Sequence, residues 1–166
     1  MIVTHPVRDV IQKRFSSRAY LDKPIAADQR RQLANFVAAL GCGPLGTPAR
    51  FALIAATEQE RNDLRGLGTY GLIRGAAGFI VGAVREGEKN LEDFGYLMER
   101  AVLLATDLGL GTCWLGGNFT RSSFARKIAL QADEVLPAVT ATGYSAGRAA
   151  SDPIRRLAGS NTRRPW

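Results

Sequence analysis

A chain of 166 residues is long enough for one domain with a substantial core and too short for two independent ones. Its 46% hydrophobic and 22% charged residues exclude wholesale disorder, and its longest apolar stretch, residues 76–84, falls far short of the roughly 20 residues that a membrane-spanning helix needs. The net charge of +7 favours anionic partners, but the cations sit in pairs such as Arg14/Arg18, Arg30/Arg31, Arg155/Arg156 and Arg163/Arg164, with no long run and no nucleic-acid motif.

Residues 7–15 space Val7, Val10, Ile11 and Phe15 as one face of a helix that runs into the polar segment 16–18. Residues 20–25 read as a connector in which Pro24 holds Lys23 extended. Residues 26–40 predict an amphipathic helix with Leu33, Phe36, Val37 and Leu40 on its apolar face. The breaker-rich stretch 41–48 follows, then a short apolar strand at 50–57, a polar helix at 58–67 and a buried strand at 78–85. Residues 89–110 give the longest helical signal, with Leu91, Phe94, Leu97, Met98, Ala101, Leu104, Ala105 and Leu108 along one face. About 20 helical residues span roughly 30 Å, so this helix is expected to run through the domain centre. The glycine-dense stretch 109–117 ends it. Residues 120–129 resume helix with Thr120 as N-cap, and 135–144 supply a third strand. The order predicts a single α+β domain over residues 1–166, three-layered, with a mixed or antiparallel sheet around a long central helix. Residues 146–166 lack periodicity and read as an extended arm or linker.

Cys42 and Cys113 are the two cysteines and His5 the one histidine, so no four-ligand His/Cys zinc site can form within one chain. A Ser-His-Asp or Cys-His centre would need His5, which lies in a terminus expected to be mobile. Redox or acid–base chemistry is therefore expected from a bound cofactor. The N-terminus carries early charges and no apolar signal segment, and a cytoplasmic location is expected.

Three constellations stand out. Arg14, Ser16 and Arg18 can converge on one anion if the chain leaves the helix extended after Arg14, with two guanidinium forks and a hydroxyl suited to a phosphate. Cations at a helix C-terminus are equally explained by the helix dipole. The run 108–117 contains four glycines, which serve either as helix cap and tight turn or as a close approach to a flat ligand at Gly116-Gly117. Arg163-Arg164-Pro165-Trp166 is, alone, a basic tail.

Taken in order, these segments resemble the FMN-dependent nitroreductase family. Arg14-x-Ser16-x-Arg18 followed by Tyr20 resembles its phosphate signature, and the glycine run after a long central helix resembles its flavin-ring loop. The strand 138–143 leading to Tyr144, and the basic pair before Pro165, are similar to its C-terminal approach to the phosphate. The stretch 69–76 is similar to a subgroup with two such halves joined in one chain. The resemblance implies that Arg14, Ser16, Arg18 and Arg163 hold the FMN phosphate. It also implies that Leu115, Gly116 and Gly117 face the isoalloxazine with backbone N–H groups, and that Arg74 is a further flavin contact. NAD(P)H would be the reductant and a nitroaromatic, quinone or similar small molecule the acceptor. No catalytic side chain is required, because the flavin carries the chemistry. A flavin-binding protein without turnover is the first alternative; a nucleic-acid-binding domain, argued from charge alone, is the second.

The family's Pro-Ser-x-x-Asn-type segment has no counterpart in residues 43–50, which read GPLGTPAR without the asparagine. The expectation is therefore a chain that lacks its C-terminal half or, if complete, one whose flavin site needs a second chain or is degenerate.

Overall fold

The computed structural model describes residues 4–55, 57, 64 and 67–148. In chain order the elements are α1 (Val7–Lys13), α2 (Ala27–Ala38), β1 (Ala49–Ala55), β2 (Gly78–Arg85), α3 (Asn90–Asp107), β3 (Gly111–Leu115), α4 (Arg121–Lys127), β4 (Glu134–Val135) and β5 (Val139–Gly143). The strands form one sheet in the order β1-β2-β5-β3, with β4 paired to the end of β2, and every pairing of named strands is antiparallel.

β2 explains the layering. Its run GFIVGAV is buried throughout, and successive side chains point to opposite faces of the sheet. Ile80 and Val84 join Leu33, Val37, Phe94, Leu97, Met98 and Ala101 in one core cluster, between the sheet and α2 and α3. Phe79, Val81 and Ala83 join Leu115, Phe119, Phe124 and Ile128 in a second cluster, under α4. Helices thus cover both faces, giving the expected three-layer α+β arrangement. Helix α3 touches β2 and β3 on one side and α1 and α2 on others, which makes it the central helix.

Several expectations change. The stretch 109–117 is not one loop. Gly109 (φ +79°) ends α3: its N–H donates to the carbonyl of Thr106 at 3.0 Å, and that of Leu110 to Ala105 at 2.8 Å, the paired bonds of a left-handed helix cap. The chain then enters β3 at once, because Gly111–Leu115 pair with Val139–Gly143. Glycines concealed that strand. The expected strand 135–144 is split at Pro137, which lies between β4 and β5. Thr120 sits at the N-cap of α4, but its side chain makes no capping bond. Leu91 is 60% exposed rather than part of the α3 core face. Most of the expected helix 58–67, and all of the arm beyond Arg148, lie outside the described residues.

Three carboxylates tie irregular segments to the frame. Asp107 accepts bonds from the N–H of Thr4 at 2.7 Å and of His5 at 3.3 Å and lies 2.7 Å from His5 Nδ1, so His5 is tethered rather than loose. Buried Asp93 accepts the N–H of Leu45 at 2.8 Å and of Thr47 at 2.7 Å, holding the stretch 43–47 against α3. Glu134 receives both arms of Arg50, at 2.7 and 2.6 Å, while Arg50 also donates to the carbonyls of Ile128 and Ala129.

Candidate functional site

Helix α1 ends at Lys13, and Arg14 adopts an extended conformation (φ −61°, ψ 136°). Sheet pairing then takes over from helical bonding. The Ser17 N–H donates to the carbonyl of Thr112 at 2.8 Å, and Ser16 bridges Thr112 in parallel, laying residues 16–18 along the free edge of β3. Extended backbone alternates its side chains, so Arg14, Ser16 and Arg18 share one face and Phe15, Ser17 and Ala19 the other. Ser17 and Ala19 are buried, whereas Arg14, Ser16 and Arg18 are half-buried. The chain thus leaves α1 extended after Arg14.

The buried face locks the segment in place. Ser17 Oγ donates to Ser145 Oγ at 2.8 Å and to the carbonyl of Ala19 at 3.2 Å. Gly111 lies beneath; a methyl group there would stand 3.0 Å from the Cβ atoms of both Ser17 and Ser145, tighter than ordinary packing. Arg74 is joined to the same segment by backbone bonds, its N–H donating to the carbonyl of Arg18 and its carbonyl accepting the N–H of Tyr20, both at 2.9 Å.

The field of these arginines is felt along β3. Burial pushes the Cys113 thiol above its ordinary pKa, while Arg18 and Arg14 pull it in the other direction, so both guanidiniums lie within electrostatic reach of one point on the strand. Burial likewise raises the phenol of Tyr20, the nearby Cys113 adds to that, and Arg18 opposes both.

Leu115, Gly116 and Gly117 lie at the far end of β3. Three residues of strand separate Thr112 from Leu115, or about 10 Å. Leu115 buries its side chain in the cluster under α4. A methyl group at Gly116 or Gly117 would meet no heavy atom of the described residues within 4 Å, so among them this loop presents bare backbone. Because Thr112 turns its carbonyl toward Ser17, the alternation of an antiparallel strand sends the polar groups of Trp114 to that same edge and those of Cys113 and Leu115 toward β5.

A cleft of about 90 Å³ opens between Lys13, Arg14 and Phe15 on one side and Gly109, Leu110 and Gly111 on the other. Neither Ser16 nor Arg18 lines it, so it is not where the three residues meet, and its volume falls well below the roughly 300 Å³ at which small-molecule pockets begin. Arg163 lies outside the described residues. Glu99 on α3 and the Ser17–Ser145 pair were not foreseen. Glu99 stands 3.7 Å from Arg14 Nε and accepts the indole N–H of Trp114 at 3.0 Å, and no spacing rule joins those three positions. No metal-holding group of His, Cys, Asp or Glu exists among the described residues, and no helix among them is long and apolar enough to cross a membrane.

The sequence model of the family described as "Putative TM nitroreductase" matches residues 7–165. Among solved structures, a "putative nitroreductase in complex with FMN" from Desulfovibrio desulfuricans is 26% identical, with a TM-score of 0.67 and 98% of each chain covered. A nitroreductase with bound FMN from Bacteroides fragilis is 20% identical, with a TM-score of 0.64, covering 86% of this chain and 90% of that one. The NADPH:FMN oxidoreductase from Vibrio harveyi complexed with NAD+ is 18% identical, with a TM-score of 0.61, covering 85% and 69%. No curated protein matches the chain.

Proposed function

The chain belongs to the "Putative TM nitroreductase" family, and from that premise we propose that it is an FMN-dependent oxidoreductase. The observation that carries this reading is the extended segment 14–18, which sets Arg14, Ser16 and Arg18 on one face at one end of β3, with the bare Gly116-Gly117 backbone at the other.

On this reading Arg14 and Arg18 grip the phosphate through charge-assisted hydrogen bonds, and the Ser16 hydroxyl fills a remaining oxygen. Arg74, fixed beside Arg18, adds positive charge toward the flavin, and Arg163 adds a further phosphate contact. Leu115 anchors the ring loop through its buried side chain. Gly116 and Gly117 offer N–H groups to the ring, where donors favour the reduced, anionic form. When bound, FMN would supply the redox chemistry, hydride transfer from NAD(P)H by way of N5 to a nitroaromatic, quinone or similar acceptor in a ping-pong cycle. No titrating side chain is needed for that.

Among the described residues nothing packs over the Gly116-Gly117 backbone, which supports completion of the site by a second chain or a further half. The stretch 43–47 is committed to Asp93 and offers no asparagine. The direct test is an absorption spectrum of the purified protein, with FMN added where the protein is colourless. A flavin spectrum, bleached by NAD(P)H without air, is the expected result. Failure of FMN to reconstitute the protein overturns the reading, and bound flavin that NAD(P)H cannot bleach reduces it to flavin binding without turnover.

A further inference from the structure

We infer that Glu99 is a positioning residue that braces both ends of the site and tempers its affinity for a dianion, an inference resting on the FMN reading. Glu99 lies on α3, opposite the edge of β3 that carries the clamp. One carboxylate oxygen accepts the indole N–H of Trp114 at 3.0 Å. The other stands 3.7 Å from Arg14 Nε, too long for a formed hydrogen bond but within the range of a solvent-screened ion pair. Trp114 sits on β3 between Thr112, which anchors the clamp, and Gly116, which begins the ring loop. A single side chain therefore touches the phosphate arginine and the strand that sets the ring loop.

The two contacts have opposite consequences. The neutral-donor bond to Trp114 steadies the strand, which helps any flavin that uses the loop. The charge facing Arg14 offsets part of the guanidinium's field and repels an incoming phosphate, which penalises FMN but not riboflavin, its phosphate-free analogue.

Flavin fluorescence titrations with FMN and with riboflavin separate these effects in the full chain. Glu99→Gln keeps an acceptor for the indole and removes the charge. It should bind FMN about two- to fivefold more tightly at low salt, the range of a partly exposed ion pair, with riboflavin unchanged. High salt should erase that gain. Trp114→Phe removes the indole donor and leaves the carboxylate facing Arg14, so it should weaken both flavins equally and preserve their ratio. An FMN-to-riboflavin preference in Glu99→Gln equal to or below that of the wild type overturns the inference, as does a raised preference in Trp114→Phe. A wild type that binds FMN no better than riboflavin removes the phosphate clamp, and the role of Glu99 with it. A wild type that prefers FMN, alongside variants that leave the preference unmoved, removes the role of Glu99 alone.

Discussion

Arg14 and Arg18 differ in their surroundings although they share a face. Arg14 answers to Glu99 on α3, whereas Arg18 is fixed by backbone bonds to Arg74 and acts on Tyr20 and Cys113. Hydrogen bonds to charged groups contribute about 1.5–3 kcal/mol, so replacing either arginine with alanine should weaken FMN binding by roughly ten- to a hundredfold. Riboflavin binding should hardly change, and titration of both flavins checks this. Equal losses for the two would mean that the arginines support the fold rather than the phosphate. The pattern Arg14-x-Ser16-x-Arg18 was legible in the sequence because period-two spacing needs only extended backbone to align it. Glu99 was not legible, because its contacts join residues 15 and 85 positions away through the packing of α3 on β3 and α1.

Among the elements, β3 shows where sequence patterning fails. Its glycine-rich borders, Gly109, Gly111, Gly116 and Gly117, look like turn chemistry, and only Thr112–Leu115 have strand-like side chains. Pairing with β5 on one edge and with residues 16–17 on the other overrides that weak local preference. By contrast, β2 and α3 were readable because burial on both faces of a strand and a long apolar stripe leave unambiguous patterns. The two central glycines predict different outcomes on mutation. Gly109→Ala meets no neighbour among the described residues but must adopt φ +79°, which should cost about 1 kcal/mol in urea unfolding. Gly111→Ala puts a methyl group against Ser17 and Ser145, which must give by a few tenths of an ångström, and so should shift the clamp segment on β3. FMN affinity should then fall further than the shared loss of stability explains, and parallel urea and flavin titrations distinguish the two. Unchanged FMN binding in Gly111→Ala would detach the site from that close contact.

At the scale of the molecule, three carboxylates join what the regular elements leave loose, and they set its response to acid. Burial raises the pKa of Asp93 and of Asp107, but donors outweigh it in both: the N–H groups of Leu45 and Thr47 and the Thr47 hydroxyl for Asp93, and Thr4 and His5 for Asp107. For Glu134 the hydrogen bonds from Arg50 dominate, and its pKa also lies below the usual range. Each folded-state value is thus lower than its unfolded counterpart, near 4 for such groups. Protonation therefore favours the unfolded chain. The stabilisation is fully present above the unfolded values and is lost as pH falls through them and on through the folded ones. The chain already carries +7 at pH 7, so each neutralised carboxylate also adds to its self-repulsion. Thermal melts followed by circular dichroism should show a steady Tm from neutrality to about pH 5, then a steep fall toward about pH 3. Asp93→Asn cannot accept both N–H groups with full charge, so it should lower the Tm near neutrality and flatten the acid limb. A variant melting profile parallel to that of the wild type would show that Asp93 holds the stretch 43–47 without contributing to this pH dependence.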